Sequence, residues 1–169
     1  MELDLLEGPG RLPGERLVIG SPLEGFLDAV AKARDEGKRV AVLADGDPLF
    51  FGIGSRLVER FGARALCFSP GVTAVQAACA RLGMPWDGLP VVSLHGRADT
   101  WPMLAALNAS GRVAVYTDQT NSPDAVARLL LEHGLDDAVL HVAEDLGSPA
   151  ERVTALAPAQ AARGEFSAL

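Results

Sequence analysis

Residues 40–52 read VAVLADGDPLFFG, an apolar run that stops abruptly at two aspartates and then resumes. The run from 40 to 44 is typical of a buried β-strand, and Asp45-Gly46-Asp47-Pro48 is typical of a loop. Two carboxylates at the end of a buried strand could hold Mg²⁺ or shape a pocket for an organic ligand, and a plain turn is the third possibility. Phe50 and Phe51 follow directly. Because a surface turn needs no aromatic pair, they favour the organic ligand.

The same alternation of strand, loop and helix extends to both sides of this stretch. It predicts strands over 16–19, 39–44, 65–68, 91–94, 113–116, 138–143 and 152–156. Helices are predicted from Ser21-Pro22-Leu23-Glu24, which has the form of a capping box, to Gly37, and then over 55–61, 72–82, 102–107, from 123 onward and over 158–162. This pattern indicates the α/β class.

A cluster of turn-forming residues divides the pattern near its middle. Met84-Pro85-Trp86-Asp87-Gly88 lies between two periodic segments, which predicts one lobe over 1–88 and a second over 89–169. In α/β sheets, ligands collect at the carboxyl ends of the strands. The segments DGDP, SPGVTA, LHGR and YTDQTN all lie at such ends.

Composition excludes several kinds of partner. The 169 residues carry a formal net charge of −7, which argues against nucleic acid, and no apolar run approaches the roughly 18 residues that a membrane span needs. A cytoplasmic protein is expected. Cys67 and Cys79 stand in apolar surroundings and are predicted to be buried thiols. Three scattered histidines and two such cysteines do not predict a metal site.

The magnesium interpretation of the two aspartates meets an obstacle in the rest of the chain. A strand ending in Asp-x-Asp resembles the nucleophile motif of haloacid-dehalogenase-type phosphohydrolases, which use Mg²⁺. Such enzymes also need a later lysine, and none follows Lys38. The only later pair of adjacent aspartates, Asp136-Asp137, precedes its predicted strand and so lies at the wrong end of the sheet. A phosphohydrolase using Asp45 and Asp47 is the weakest of the alternatives.

Five segments in order resemble the tetrapyrrole methylase family: ADGDPLFFGIG, SPGVTAVQAACARLGMPW, VVSLHGR, YTDQTNSP and VAEDLGSPAERV. SLHGR and LGMPW point to the branch that methylates C-5 of a corrin precursor in cobalamin biosynthesis. The resemblance implies a two-lobed class III methyltransferase fold, S-adenosylmethionine as cofactor, a tetrapyrrole substrate and a homodimer.

The resemblance also implies site residues. Asp45, Gly46, Asp47 and Phe50 match the first cofactor loop, Thr73 and Ala74 the second, and Thr117 and Ala143 two later cofactor positions. His95 and Arg97 are the candidates for substrate binding, because arginine forms bidentate pairs with the carboxylates of such a substrate. The cofactor brings its own reactive methyl group. Catalysis therefore rests on alignment and on exclusion of water, and no catalytic side chain is assigned.

Both ends of the chain depart from the family pattern. The family begins with a strand and a glycine loop. Glu7-Gly8-Pro9-Gly10 follows no buried strand and is interpreted as a coincidental loop, so the first strand and its glycine loop are expected to be missing, and residues 166–169 stop before a final strand. The chain is therefore expected to be trimmed at both ends relative to the family. The alternative function is a truncated, non-catalytic cofactor-binding or assembly domain.

Overall fold

Helices alternate with strands throughout the described part of the chain. The computed structural model describes residues 16–20 and 22–165. The helices are α1 (Leu23–Asp35), α2 (Gly54–Phe61), α3 (Ala74–Leu82), α4 (Trp101–Ser110), α5 (Pro123–Glu132) and α6 (Pro158–Ala161), with a 3₁₀ turn at Ala63–Ala65. The strands are β1 (Val91–Ser93), β2 (Ala114–Tyr116), β3 (Leu140–Glu144) and β4 (Arg152–Leu156). The α/β class is confirmed.

The chain divides into two compact units, an N-terminal unit that ends at Ser69 and a C-terminal unit that starts at Pro70. The division by compactness thus falls before the cluster of turn formers at 84–88. The predicted boundary of the functional lobes at 88 stays a prediction.

Two amphipathic helices, α1 and α2, form the N-terminal unit. Leu27 and Val30 of α1 and Leu57 of α2 are buried. On the outer surface, the guanidinium of Arg60 lies 2.9 Å from the carboxylate of Asp28 and so joins α2 to α1. Such an exposed ion pair contributes little to stability.

Two small sheets and the helices on them form the C-terminal unit. β1 and β2 are parallel, with Val91 opposite Ala114 and Ser93 opposite Tyr116, and α4 is the crossover that a parallel pair needs. β3 and β4 are antiparallel, with Glu144 opposite Arg152. One core cluster is built from Leu94, Met103, Leu104, Val126 and Leu130, and a second from Ala127, Val142, Leu156 and Ala161.

Helix α5 joins these two clusters because its apolar residues point in two directions. Val126 and Leu130, four residues apart, face the first cluster, and Ala127 faces the second. The carboxyl ends of β1 and β2 are thereby held over a packed core, and the loops that leave these ends carry most of the polar groups discussed below.

All six predicted helices and the four predicted strands beyond residue 90 are confirmed, within two or three residues at their ends. Ser21 of the predicted capping box lies outside the described residues. In the structure, Pro22 precedes the first residue of α1 and makes no side-chain cap.

The three strands predicted in the N-terminal unit, 16–19, 39–44 and 65–68, are wrong as sheet strands, because none of them pairs with another described segment. Their apolar side chains are correspondingly exposed: Val18 is 74% and Leu43 46% exposed. The prediction for Cys67 fails for the same reason. Cys67 lies in an unpaired segment and is exposed, whereas Cys79 in α3 is buried as predicted.

Candidate functional site

The DGDP loop of the N-terminal unit is a tight turn stabilised by its own side chain. Gly46 adopts the left-handed φ of +68° that suits glycine. The Asp47 carboxylate accepts a hydrogen bond of 2.8 Å from the Leu49 N–H, and the Asp47 carbonyl accepts one of 3.1 Å from the Phe50 N–H. Asp45 is exposed and makes no hydrogen bond or ion pair with a described residue. Its carboxylate is thus available to a ligand.

Two aromatic rings follow this turn and remain at the surface. Phe50 and Phe51 are 38% and 51% exposed, and their rings meet edge to face with centroids 4.9 Å apart. Phe51 has a φ of +55°, which is uncommon for a side chain of this size. The loop therefore has the exposed apolar wall that its sequence predicts.

Two further glycines, which the sequence analysis did not single out, allow the loop to fold back on itself. A Cβ atom at Gly52 would lie 2.7 Å from the Pro48 carbonyl oxygen, and one at Gly54 would lie 2.4 Å from it. The Gly54 N–H instead donates a 2.7 Å hydrogen bond to that oxygen. In the sequence, the signal was the repeated glycine of Gly52-Ile53-Gly54 directly after two aromatics.

The second predicted cofactor loop lies at the start of α3, in the C-terminal unit. Thr73 is buried and caps the helix: its hydroxyl accepts a hydrogen bond of 3.1 Å from the Gln76 N–H. The Gln76 side chain in turn accepts one of 2.8 Å from the Thr73 N–H, which completes a capping box. Ala74, the first helical residue, is exposed.

Tyr116, at the end of β2, points its hydroxyl toward this helix start. Burial raises the pKa of Tyr116, and the N–H of Val75, the hydroxyl of Thr73 and the N–H of Ala74 oppose that shift. The tyrosine is therefore neutral at physiological pH. The structure thus brings Thr73 and Ala74 close to the strand end from which the predicted cofactor residue Thr117 follows.

The loops after β1 and β2 are tied together by two side chains, Asp118 and Asn121, which we call the loop clamp. The Asp118 carboxylate accepts hydrogen bonds from the N–H groups of Gly96 at 2.6 Å, Thr120 at 2.9 Å and Asn121 at 2.6 Å. The Asn121 amide nitrogen donates to the carbonyl oxygens of Leu94 and Arg97, both at 2.8 Å. The loop 94–97 is therefore held at three main-chain atoms.

The loop clamp affects charge as well as shape. Hydrogen bonds from Gly96, Asn121 and Thr120 hold the pKa of Asp118 below its usual value, and the charge of His95 adds a smaller effect. Asp118 is therefore a carboxylate at neutral pH and can only accept hydrogen bonds. Neither the spacing of residues along the sequence nor their periodicity indicates this arrangement. The sequence shows only that one short loop contains both an Asp and an Asn.

The two predicted substrate residues lie on the clamped loop. His95 and Arg97 are both exposed, and their side chains form no hydrogen bond or ion pair with any described residue. Gly96 between them has a φ of +65° and so makes the turn that separates them. The structure therefore brings His95 and Arg97 together on one loop with their polar groups available.

Ala143, the last predicted cofactor residue, is half-buried in β3 opposite Val153 of β4. The turn that joins these strands is tied to α3, because Glu151 forms a bidentate ion pair with Arg81 and accepts a 2.6 Å hydrogen bond from the Gly147 N–H. The hydrogen bond from Arg81, followed by that from Gly147, lowers the pKa of Glu151.

A cavity of about 200 Å³ borders Leu94, Asn121 and one side of α5, and it is smaller than the roughly 300–1,000 Å³ of pockets that enclose organic ligands. Among residues 16–20 and 22–165, no three histidine, cysteine or acidic side chains are grouped as metal ligands would be. In the same residues, no helix has both the length and the apolar character to cross a bilayer.

Comparisons with known proteins agree on one family. The family model described as Tetrapyrrole (Corrin/Porphyrin) Methylases matches residues 20–161. The cobalt-precorrin-7 C(5)-methyltransferase of Salmonella typhimurium is 37% identical over 140 residues, which cover 83% of this chain and 67% of the relative. The decarboxylating precorrin-6Y C(5,15)-methyltransferase of Mycobacterium tuberculosis is 40% identical over 127 residues, covering 75% of this chain and 32% of the relative. The chain thus spans about two thirds of the first relative and one third of the second.

A solved structure supports the same fold. Uroporphyrin-III C-methyl transferase from Thermus thermophilus, complexed with S-adenyl homocysteine, superposes with a TM-score of 0.67 at 24% sequence identity. The superposition covers 93% of this chain and 74% of that one. At this identity, the likeness concerns the path of the backbone.

Proposed function

The chain belongs to the tetrapyrrole methylase family, and from that premise we propose that it transfers a methyl group from S-adenosylmethionine to C-5 of a corrin precursor. The observation that carries the proposal is its similarity to a C-5 methyltransferase of cobalt-precorrin-7 across most of the chain. The loops that the geometry makes available, after residue 44 and after β1 and β2, lie within the segment that matches the family model. A cytoplasmic homodimer is part of the same proposal.

The N-terminal loop has groups that suit part of this cofactor. S-adenosylmethionine presents an ammonium group and ribose hydroxyls, and the exposed Asp45 carboxylate can accept hydrogen bonds from either. Gly46 has no side chain to keep a ligand away from the backbone. The exposed ring of Phe50 offers an apolar surface to the adenosine part. Asp47 is different: its carboxylate is engaged by Leu49, and we assign it to shaping the loop.

The C-terminal unit contributes a rigid set of main-chain groups. The capping box fixes the backbone at Thr73 and Ala74, and the exposed Ala74 and Thr117 have small side chains that leave this backbone accessible. We place cofactor contacts at the Thr73–Ala74 backbone, at Thr117, and at Ala143 on β3.

His95 and Arg97 are proposed to bind the substrate. Corrin precursors carry carboxylates around the ring, and Arg97, which has no hydrogen-bond or ion-pair partner among the described residues, can bind such a group through two parallel hydrogen bonds. His95 can donate a further hydrogen bond beside it. The side chains therefore orient the ring through its periphery.

The chemistry asks little else of the protein. S-adenosylmethionine, when bound, supplies an electrophilic methyl group, and the attacking atom is an electron-rich carbon of the substrate. The chain's residues hold the two partners in line and exclude water. No protein side chain is required as a nucleophile.

The test is a set of calorimetric titrations with S-adenosylhomocysteine, with cobyrinic acid as a stable corrin polycarboxylate, and with Mg²⁺. Gly46→Val should weaken S-adenosylhomocysteine binding about tenfold, because a branched side chain at φ +68° costs roughly 1–2 kcal/mol or displaces the loop, and should leave cobyrinic acid unaffected. Gly37→Val is the matched control, since Gly37 has a φ of +74° outside the loop.

Arg97→Ala should do the reverse. The lost charge-assisted pair is worth about 1.5–3 kcal/mol of binding free energy, so the affinity for cobyrinic acid should fall roughly ten- to a hundredfold. The affinity for S-adenosylhomocysteine should not change. Arg64→Ala is the control, because it removes an equal charge elsewhere. If the protein binds Mg²⁺ but not S-adenosylhomocysteine, or if it shows metal-dependent phosphatase turnover, the proposed function is overturned. Loss of S-adenosylhomocysteine binding in Arg97→Ala would show that the two ligands are assigned to the wrong loops.

A further inference from the structure

The loop that carries His95 and Arg97 is shaped by residues outside it. Leu94 continues the pairing of β1 with β2 by donating a 2.9 Å hydrogen bond to the Tyr116 carbonyl. The chain then turns, and the Arg97 N–H donates to the Leu94 carbonyl at 3.1 Å. No other hydrogen bond is found within residues 94–97, so the turn's further hydrogen bonds come from outside it.

The loop clamp supplies the missing bonds from a segment more than twenty residues away. The carboxylate of Asp118 holds the Gly96 N–H, and the amide of Asn121 holds the carbonyls of Leu94 and Arg97 at the two ends of the turn. The clamp is itself stiff, because Asp118 also accepts the N–H groups of Thr120 and Asn121 within its own loop.

We propose that Asp118 and Asn121 are positioning residues for substrate recognition: they hold the 94–97 loop in the shape in which Arg97 and His95 receive the substrate carboxylates. This inference rests on the proposed function. Neither clamp residue need touch the substrate, because both act on main-chain atoms. Their contribution is preorganisation, since a loop that is already ordered loses less freedom on binding.

The clamp and the proposed function can be tested separately. In Asp118→Asn, an NH₂ group replaces one acceptor oxygen. Either the Gly96 N–H or the N–H groups of Thr120 and Asn121 therefore lose their acceptor. Asn121→Ala removes both bonds to Leu94 and Arg97 and serves as a second variant in case the first does not fold. Asp99→Asn is the matched control: it removes the same charge, but among the described residues the Asp99 carboxylate accepts a hydrogen bond only from the Trp101 N–H, two residues on.

Two measurements are made on each variant: amide hydrogen exchange at residues 94–97, and affinity for cobyrinic acid and S-adenosylhomocysteine. Both clamp variants should exchange these amides faster, bind cobyrinic acid about three- to tenfold more weakly and keep their cofactor affinity within about twofold. Asp99→Asn should resemble the wild type in all three respects.

A double-mutant cycle decides whether the clamp acts through Arg97. If it does, Asp118→Asn should have little further effect on cobyrinic acid binding in an Arg97→Ala background. A loss of the same size in both backgrounds, or unchanged amide exchange in both clamp variants, would overturn the inference. If the wild-type protein binds S-adenosylhomocysteine but no cobyrinic acid, the proposed substrate fails and the recognition role fails with it. Amide exchange then still shows whether the clamp orders the loop.

Discussion

Two glycines set how the loop after residue 44 can fold. Gly52 and Gly54 leave room for the Pro48 carbonyl, whose oxygen would be too close to a Cβ atom at either position. Backbone cannot move aside as a flexible side chain can, so the crowding is costly. The exposed Phe50 and Phe51 depend on this turn, because they lie between the proline and the two glycines.

Gly54→Ala is therefore expected to destabilise the protein by about 1–3 kcal/mol, the range for forcing extra atoms into a packed site. Gly25→Ala is the control: Gly25 is also helical, and a Cβ there meets nothing within 4 Å. That change should stabilise by roughly 0.5–1 kcal/mol, as alanine does in a helix. Urea unfolding of both variants measures the difference, and equal stabilities would show that the Pro48 carbonyl moves aside readily.

At the scale of elements, helices were predictable and pairing was not. A helix satisfies its own hydrogen bonds over four residues, so the periodicity of 74–82 or 123–132 sufficed. A strand needs a partner that its own sequence does not name. The apolar run 39–44 accordingly predicted a sheet strand, but in the structure this segment pairs with no other described segment. The loop clamp escaped prediction similarly, because Gly96 and Asp118 are 22 residues apart, and each loop alone predicts only a turn.

The cap of α3 gives an element-scale prediction. Thr73→Ala removes the oxygen that accepts the Gln76 N–H and should cost about 1 kcal/mol of unfolding free energy, whereas Thr73→Ser keeps that oxygen and should recover most of it. Thr100→Ala is the matched control, because Thr100 precedes α4 without a side-chain cap. Thermal and urea unfolding report the change. A loss as large in Thr73→Ser as in Thr73→Ala would assign the effect to the lost methyl group's packing.

Over the whole molecule, acidic groups outnumber basic ones, and several carboxylates stabilise the fold only in their charged form. Glu36, Asp118, Asp124, Glu151 and Glu165 all have a lowered pKa, each because a hydrogen bond from a basic side chain, a hydroxyl or a main-chain N–H favours the carboxylate. A folded-state pKa below the unfolded value means that the unfolded chain binds protons first. These groups therefore stabilise the fold fully above the unfolded pKa of about 4.

We expect the free energy of unfolding to fall as pH drops below about 4, through the folded-state pKa values, with these groups giving no pH dependence from 5 to 8. Urea unfolding between pH 3 and 8 at constant ionic strength measures this. Glu151→Gln should flatten the acid limb, because it replaces the titrating carboxylate that accepts from Arg81 and Gly147 with an amide that does not titrate. Glu132→Gln, at a residue without an ion pair among the described residues, should leave the limb unchanged; equal limbs in both variants would contradict the assignment.

The loop clamp grips only the backbone of 94–97, and this has a consequence for how such a protein diversifies. Of the two residues between Leu94 and Arg97, Gly96 is constrained by its φ of +65°, while the side chains of His95 and Arg97 form no hydrogen bond or ion pair with a described residue. Codons 95 and 97 can therefore drift without loosening the loop. After a gene duplication, two substitutions would suffice to present a different pair of functional groups from an unchanged frame. A combinatorial library at these two codons should be rich in folded members, and selection on it can explore ligand preference separately from stability.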